Sequence, residues 1–143
     1  MASISAANSV VMLAITGLYT VPQQLQGFSA DDVFDAEAVS DVEVLMGVDG
    51  TLSAGYVPQP VKQSITFQAD SASILMFEAW SAAQKAAGDV YFAQGLVTLP
   101  GVGRIYTCSR GVLSSYSPLP TAKKLLQPRK FGITWESVIG ASL

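Results

Sequence analysis

Apolar and polar residues alternate with a period of two along much of this chain, the pattern of strands with one covered face. Residues 40–46 set Asp41 and Glu43 on one face and Val42, Val44 and Met46 on the other, which predicts a half-buried strand. Asp49-Gly50 is a strong hairpin-turn signal, residues 51–57 pair back, and Pro58 and Pro60 end the segment. Residues 61–69 alternate again, with Ile65, Phe67 and Ala69 opposite Lys62, Ser64, Thr66 and Gln68. Near the end, Phe131, Ile133 and Trp135 alternate with Lys130, Gly132, Thr134 and Glu136 in a strand over 128–138.

Residues 8–16, rich in Val and Ile, read as a first strand. Residues 18–27 follow as a short polar hairpin arm with Pro22 at an edge or turn, and 28–38 as an acid-dense loop. The period changes over 72–87. Leu75, Ala79, Ala82 and Ala86 recur at helical spacing with Ile74 and Phe77 beside them, Asp70 or Ser71 is available as N-cap, and Gly88 stands where a helix ends. Strands over 90–99, 103–109 and 111–116 come next, with Pro100-Gly101-Val102-Gly103 as a tight turn and a proline-rich connection over 117–128. Many strands and one helix predict a mainly β fold, an antiparallel barrel or sandwich with one α-helix packed on its outside by Ile74, Leu75, Phe77 and Trp80. One domain over 1–143 is expected, with an N-terminal arm (1–30) and a protruding hairpin (46–60).

Composition sharpens this picture. Charged residues are 13% of the chain, against about 25% in ordinary soluble domains, and mean hydropathy is +0.38. So few charges imply surface hidden against other subunits or a membrane. The longest apolar run, Val10–Ile15, is about a third of the roughly 20 residues a spanning helix needs, so no membrane span is expected. No basic stretch precedes it, so a signal peptide is not expected either. The charges are also segregated. Residues 1–61 hold seven acids and no base, and residues 62–143 hold eight bases and four acids, giving −7 and +4. Opposite patches of this kind can complement each other when identical subunits meet head to tail.

Candidate chemistry is sparse. The chain has no histidine, which excludes His-based acid–base catalysis and His metal ligation. The single cysteine, Cys108, excludes an intrachain disulfide and reads as a packing residue in a strand. Gly101-Val102-Gly103 lacks the third glycine of a phosphate loop and reads as a turn. Lys123-Lys124 reads as a solvated or interface pair. Asp31-Asp32 and Asp35/Glu37 could in principle form an acid–base pair or hold a divalent cation, but no calcium-loop spacing is present and a structural role is expected. No enzyme activity and no cofactor are expected. With a pI near 4.7 and no basic stripe among aromatics, sequence-specific nucleic-acid recognition is not expected.

The order of a DG hairpin, a proline break, an alternating strand, an "ADSAS" helix start, a helix carrying Trp80, a "GLVTLPGVGRIYTCSRGVL" strand pair and a "PLPTAKKLLQPRKFGITWESV" close resembles the tail tube proteins of contractile-tailed bacteriophages, a group related to the ring protein of type VI secretion. The resemblance covers roughly residues 40–138. It implies a β-barrel flanked by a helix and hexameric rings whose sheets join into one inner barrel. The rings would stack into a hollow conduit for genome ejection, assembled in the host cytoplasm and carried in the virion. The implied partners are further copies, a contractile sheath, a baseplate and a tail terminator, with phage DNA passing transiently and non-specifically.

Within that frame, two polar faces are lumen-lining candidates: Asp41 and Glu43, and Lys62, Ser64, Thr66 and Gln68. A lumen without a basic stripe lets DNA slide, because tight phosphate binding needs Lys and Arg. Ring-stacking candidates are Met46, Val48, Asp49, Leu52, Tyr56 and Val57, together with the uncharged N-terminal arm. A tube protein of a type VI or non-contractile system remains open beside a contractile one, and so do two other classes. One is a small β-barrel binding an apolar ligand as a monomer; the other is a hydrolase using Asp31, Asp32 or Asp35.

Overall fold

The computed structural model describes residues 4–29 and 33–143, so Asp31 and Asp32 of the acidic cluster lie outside the described residues. Along the chain run β1 (Val10–Ile15), β2 (Tyr19–Gln24), β3 (Phe34–Ala36), β4 (Val42–Met46), β5 (Leu52–Tyr56), β6 (Val61–Phe67), α1 (Ser73–Ala87), β7 (Ala93–Leu99), β8 (Arg104–Tyr116) and β9 (Arg129–Ser142). Seven of these strands make one antiparallel sheet in the order β2-β1-β7-β8-β9-β6-β3, and β4 and β5 stand apart as a two-stranded hairpin. The mainly antiparallel β fold with one helix is therefore as the residue pattern predicts.

The core lies on one face of the large sheet because alternate residues of its strands are apolar. Val11, Leu13 and Ile15 of β1, Ile65 and Phe67 of β6, and Phe131, Ile133 and Trp135 of β9 are all buried there. Helix α1 lies on this face. The Phe77 ring sits 4.9 Å from Phe131 and 5.3 Å from Phe67, centroid to centroid. The Trp80 indole N–H donates to the Tyr91 carbonyl at 3.0 Å, which satisfies the one polar atom of a fully buried ring.

Several expectations shift by a residue or an element. Leu75 is 67% exposed, and the buried residues of the helix are Ser73, Ile74, Met76, Phe77, Trp80 and Ser81. A rotation of about 100° per residue separates neighbours on a helix, and the large side chains, not the alanines, win the covered side. Ser71 Oγ accepts the Ser73 N–H at 3.3 Å and donates to the Gln26 carbonyl, tying the helix start to the preceding chain. Gly88 closes the helix in the left-handed region at φ 64°, its N–H bonded to Gln84 O.

The segments read as strands 103–109 and 111–116 are one strand, β8. It passes through Arg110 at φ 47°, a bulge that keeps apolar residues inward on both sides of it. The expected 28–38 loop contains β3, which pairs with β6. Within the 1–30 arm, the strand read over 8–16 is β1, and its apolar face is core.

Trp135 explains two glycines. Gly95 on β7 and Gly111 on β8 lie directly beneath its ring, and a Cβ at either position would collide with it. The Trp135 indole N–H donates to Gln63 Oε1 at 2.8 Å, which also accounts for a glutamine buried in β6.

Candidate functional site

Three surfaces stand out for what they leave uncovered. The first is the β4–β5 hairpin. Val42 pairs with Tyr56, Val44 with Ala54 and Met46 with Leu52, and directly paired side chains share a face, so six apolar residues line one side. The five large ones are 50–71% exposed. Residues 40–46 thus have the expected alternation without the expected burial. Alternation shows that a face is suited to cover; it does not say that the same chain supplies the cover. Val48 and Asp49 form the tip, where the Thr51 N–H donates to Asp49 Oδ1 at 3.1 Å and holds that carboxyl below its ordinary range. At the base, the Val57 N–H donates to the Asp41 carbonyl at 2.8 Å.

The second surface is the sheet face opposite the core. Lys62, Ser64 and Thr66 of β6 lie cross-strand from Thr134, Gly132 and Lys130 of β9. Thr134 Oγ1 donates to Ser114 Oγ at 2.9 Å, extending this hydroxyl-rich band to β8. Arg110 and Glu136 continue it as an exposed ion pair at 3.7 Å, of the kind that contributes little to stability. Gln68 lies past the end of β6, its N–H bonded to Gly27 O. Asp41 and Glu43 belong to the hairpin, so the two candidate lumen groups lie on different sheets. The partners on β8 and β9 follow from strand register, which the alternation of one strand does not reveal.

Charge segregation along the sequence partly dissolves here. Asp35 of β3 is cross-strand from Ser64, on the same sheet face as Lys62 and Lys130, and the Glu37 N–H donates to the Lys62 carbonyl. Acids of the first half and bases of the second half are interleaved on this face.

The third surface is the uncovered half of the core face. Helix α1 covers the end carrying Phe67 and Phe131. Beyond it lies an open apolar cavity of about 390 Å³, lined among others by Val61, Val97, Leu99, Tyr106, Trp135 and Val138. Its lining reaches from β3 to β7, four strand spacings or about 19 Å apart in a flat sheet, so the sheet curls around it.

Among the described residues, candidate catalytic groups do not converge. Cys108 is buried beside this cavity, and burial pushes its thiol up to about 11, away from the range of a nucleophile. Among the described residues, no group of three or more His, Cys, Asp or Glu could hold a metal ion, and no helix is long and apolar enough to cross a membrane. Arg129, buried at the edge of α1, is held by Glu78 Oε1 at 2.7 Å and Ser117 O at 2.8 Å and lies over the Phe131 ring. This ties the helix to the sheet.

Comparison with known proteins follows the same lines. The family model described as tail fiber protein gp32 matches residues 2–139. No curated protein sequence matches the chain. A chain of the sheath/tube terminator of an extracellular contractile injection system (PVC) in its extended state has a similar structure at TM-score 0.67. It is 11% identical, with 99% of each chain covered. A chain of the anti-feeding prophage cap, the AFP tube terminating cap, gives 0.66 at 12% identity, over all of this chain and 93% of that one. A chain of the extended PVC sheath–tube complex gives 0.65 at 10%, over 93% and 88%. At these identities the likeness is one of fold, and the fold is the one found in tube assemblies of contractile injection systems.

Proposed function

Because this chain belongs to the tail fiber protein gp32 family, we propose that it is a structural tail component, and that within the tail it is a tube subunit. Copies assemble into hexameric rings that stack into a hollow tube inside a contractile sheath, seated on a baseplate and closed by a terminator. The observation that carries this reading is the β4–β5 hairpin, a six-residue apolar face that its own chain leaves bare. A two-stranded hairpin is marginal at best in water, and its apolar face calls for a partner.

The tip residues Val48 and Asp49, with Met46 and Leu52 behind them, point to the next ring, and Tyr56 and Val57 pack at the base of the contact. The band of Lys62, Ser64 and Thr66, continued by Thr134 and Ser114, lines the lumen. Hydroxyls and interleaved charges there favour passage of DNA without retention. In this role the chain is a conduit and performs no catalysis, and the assembled particle, not a free pool, is where it acts.

Seeded assembly tests the proposal. Purified protein mixed with preformed baseplates should extend hollow, regularly striated tubes visible by negative-stain microscopy. A protein that stays monomeric at high concentration with seeds present would overturn it.

A further inference from the structure

Two exposed apolar clusters stand at opposite ends of the large sheet and carry opposite charge. The first is the tip half of the hairpin, where Met46, Val48 and Leu52 are exposed around Asp49. Strand pairing fixes where it stands. Ala36 pairs with Gln63 and the Glu37 N–H donates to the Lys62 carbonyl; the Val57 N–H then donates to the Asp41 carbonyl and Val42 pairs with Tyr56. From Glu37 to Val42 is five positions on one leg, and from Lys62 to Tyr56 six on the other. The hairpin therefore prolongs the β3–β6 ribbon past Val61 with a slip of one residue.

The second cluster is the connection between β8 and β9. Tyr116 pairs with Phe131 and Arg129 with Phe67, so residues 117–128 leave the sheet at the Phe67 end of β6, about 20 Å from its Val61 end. The Gln127 N–H donates to Thr121 O at 2.9 Å and Ala122 bridges to Leu126, which ties the legs of this loop together. Leu119, Leu125 and Leu126 are left 69%, 76% and 58% exposed, beside the exposed Lys123 and Lys124. Segment 37–60 has four acids and no base, and segment 117–128 has two bases and no acid.

Complementary surfaces at opposite ends of one molecule make a heterologous contact, which propagates from copy to copy. The free edges of the large sheet are β2 and β3. Rings closed edge to edge use these two strands and turn the strand ends toward the rings above and below. The hairpin end of each copy then faces the 117–128 end of a copy in the next ring. Of the hairpin's acids only Asp49 lies in the tip; Asp41 and Glu43 lie opposite the apolar face and act at longer range.

We propose that residues 117–128 are the seat for the hairpin tip of a copy in the adjacent ring, with Met46, Val48 and Leu52 packed on Leu119, Leu125 and Leu126 and with Asp49 against Lys123 and Lys124. This rests on the tube reading above and names the surface that receives the tip. Each contact is small, and the copies of a ring make their contacts together, so they reinforce one another.

Disulfide trapping tests it. In a Cys108→Ala background, Val48→Cys and Leu125→Cys are combined in one chain, assembled from seeds, oxidised and run on a non-reducing denaturing gel. An axial contact links copies ring after ring and gives a ladder running past six; mixing the two single-cysteine variants gives dimers and nothing larger. A ladder that stops at six places the contact within a ring and overturns the proposal, and so do tubes with no cross-link. Charge reversal reads the same contact without cysteines. Asp49→Lys, or Lys123→Glu with Lys124→Glu, should each slow seeded extension about tenfold, and the three together should restore it. Partial variants that extend at the unmodified rate, or a triple variant no faster than they are, overturn the proposal. In each of these failures the unmodified protein still forms tubes by microscopy, so the tube reading stands. Absence of tubes from the unmodified protein with seeds present overturns both.

Discussion

Excision of the hairpin separates assembly from folding most cleanly. The deletion removes Val42–Tyr56 and joins Asp41 to Val57, whose backbones are already hydrogen-bonded at 2.8 Å. None of the buried core residues lies in the deleted segment, so no core area is lost. The connection from Ala36 to Val61 shortens from 24 residues to nine. Loop-closure entropy scales as (3/2)RT ln n, so this stabilises the fold by about 0.9 kcal/mol. For a domain of this size that corresponds to a rise of about 3 °C in Tm. Calorimetry or circular dichroism should therefore show an unchanged or slightly raised Tm, and seeded assembly should show no tubes. A Tm lowered by more than about 5 °C would mean that the hairpin supports its own fold, and tubes of normal length would mean that assembly does not use it. Either result refutes the reasoning.

Other outcomes follow from the same geometry. Ser64→Arg with Thr66→Arg should leave tubes intact but make them retain DNA, with retention falling steeply as salt rises; tubes that ignore DNA at low salt would place this face away from the lumen. Gly111→Ala should destabilise the subunit by about 1–3 kcal/mol by driving a methyl into the Trp135 ring, read from urea midpoints. Glu78→Gln should cost about 1–3 kcal/mol because Arg129 stays buried without its carboxylate, less than for a fully buried pair since Glu78 is half exposed; a loss below about 0.5 kcal/mol would show the pair to be idle. The Cys108 thiol, raised from 9.0 to about 11, should alkylate slowly in the native protein near neutral pH. Because the folded form then holds this proton more tightly than the unfolded form, stability should decline as pH rises from about 9 to about 11.

Local pattern alone determined a great deal about this protein. Period-two alternation identifies most strands, the change of period and Gly88 delimit the helix, and Asp49-Gly50 marks the hairpin, because each of these signals depends on a few neighbouring residues. The absence of histidine and the single cysteine exclude whole classes of chemistry without reference to any fold. Tertiary structure decided what lies next to what. It turned α1 so that Ile74 and Trp80 face the sheet and Leu75 does not. It brought Gln63 under Trp135, and it placed Gly95 and Gly111 beneath the same ring. It interleaved acids and bases that the sequence keeps apart. It also left Val42, Val44 and Met46 bare although their spacing calls for cover. The physical reason is the same throughout: alternation reports that a face is apolar, and only the packing of elements distant in sequence determines whether that face meets its own chain or a second copy.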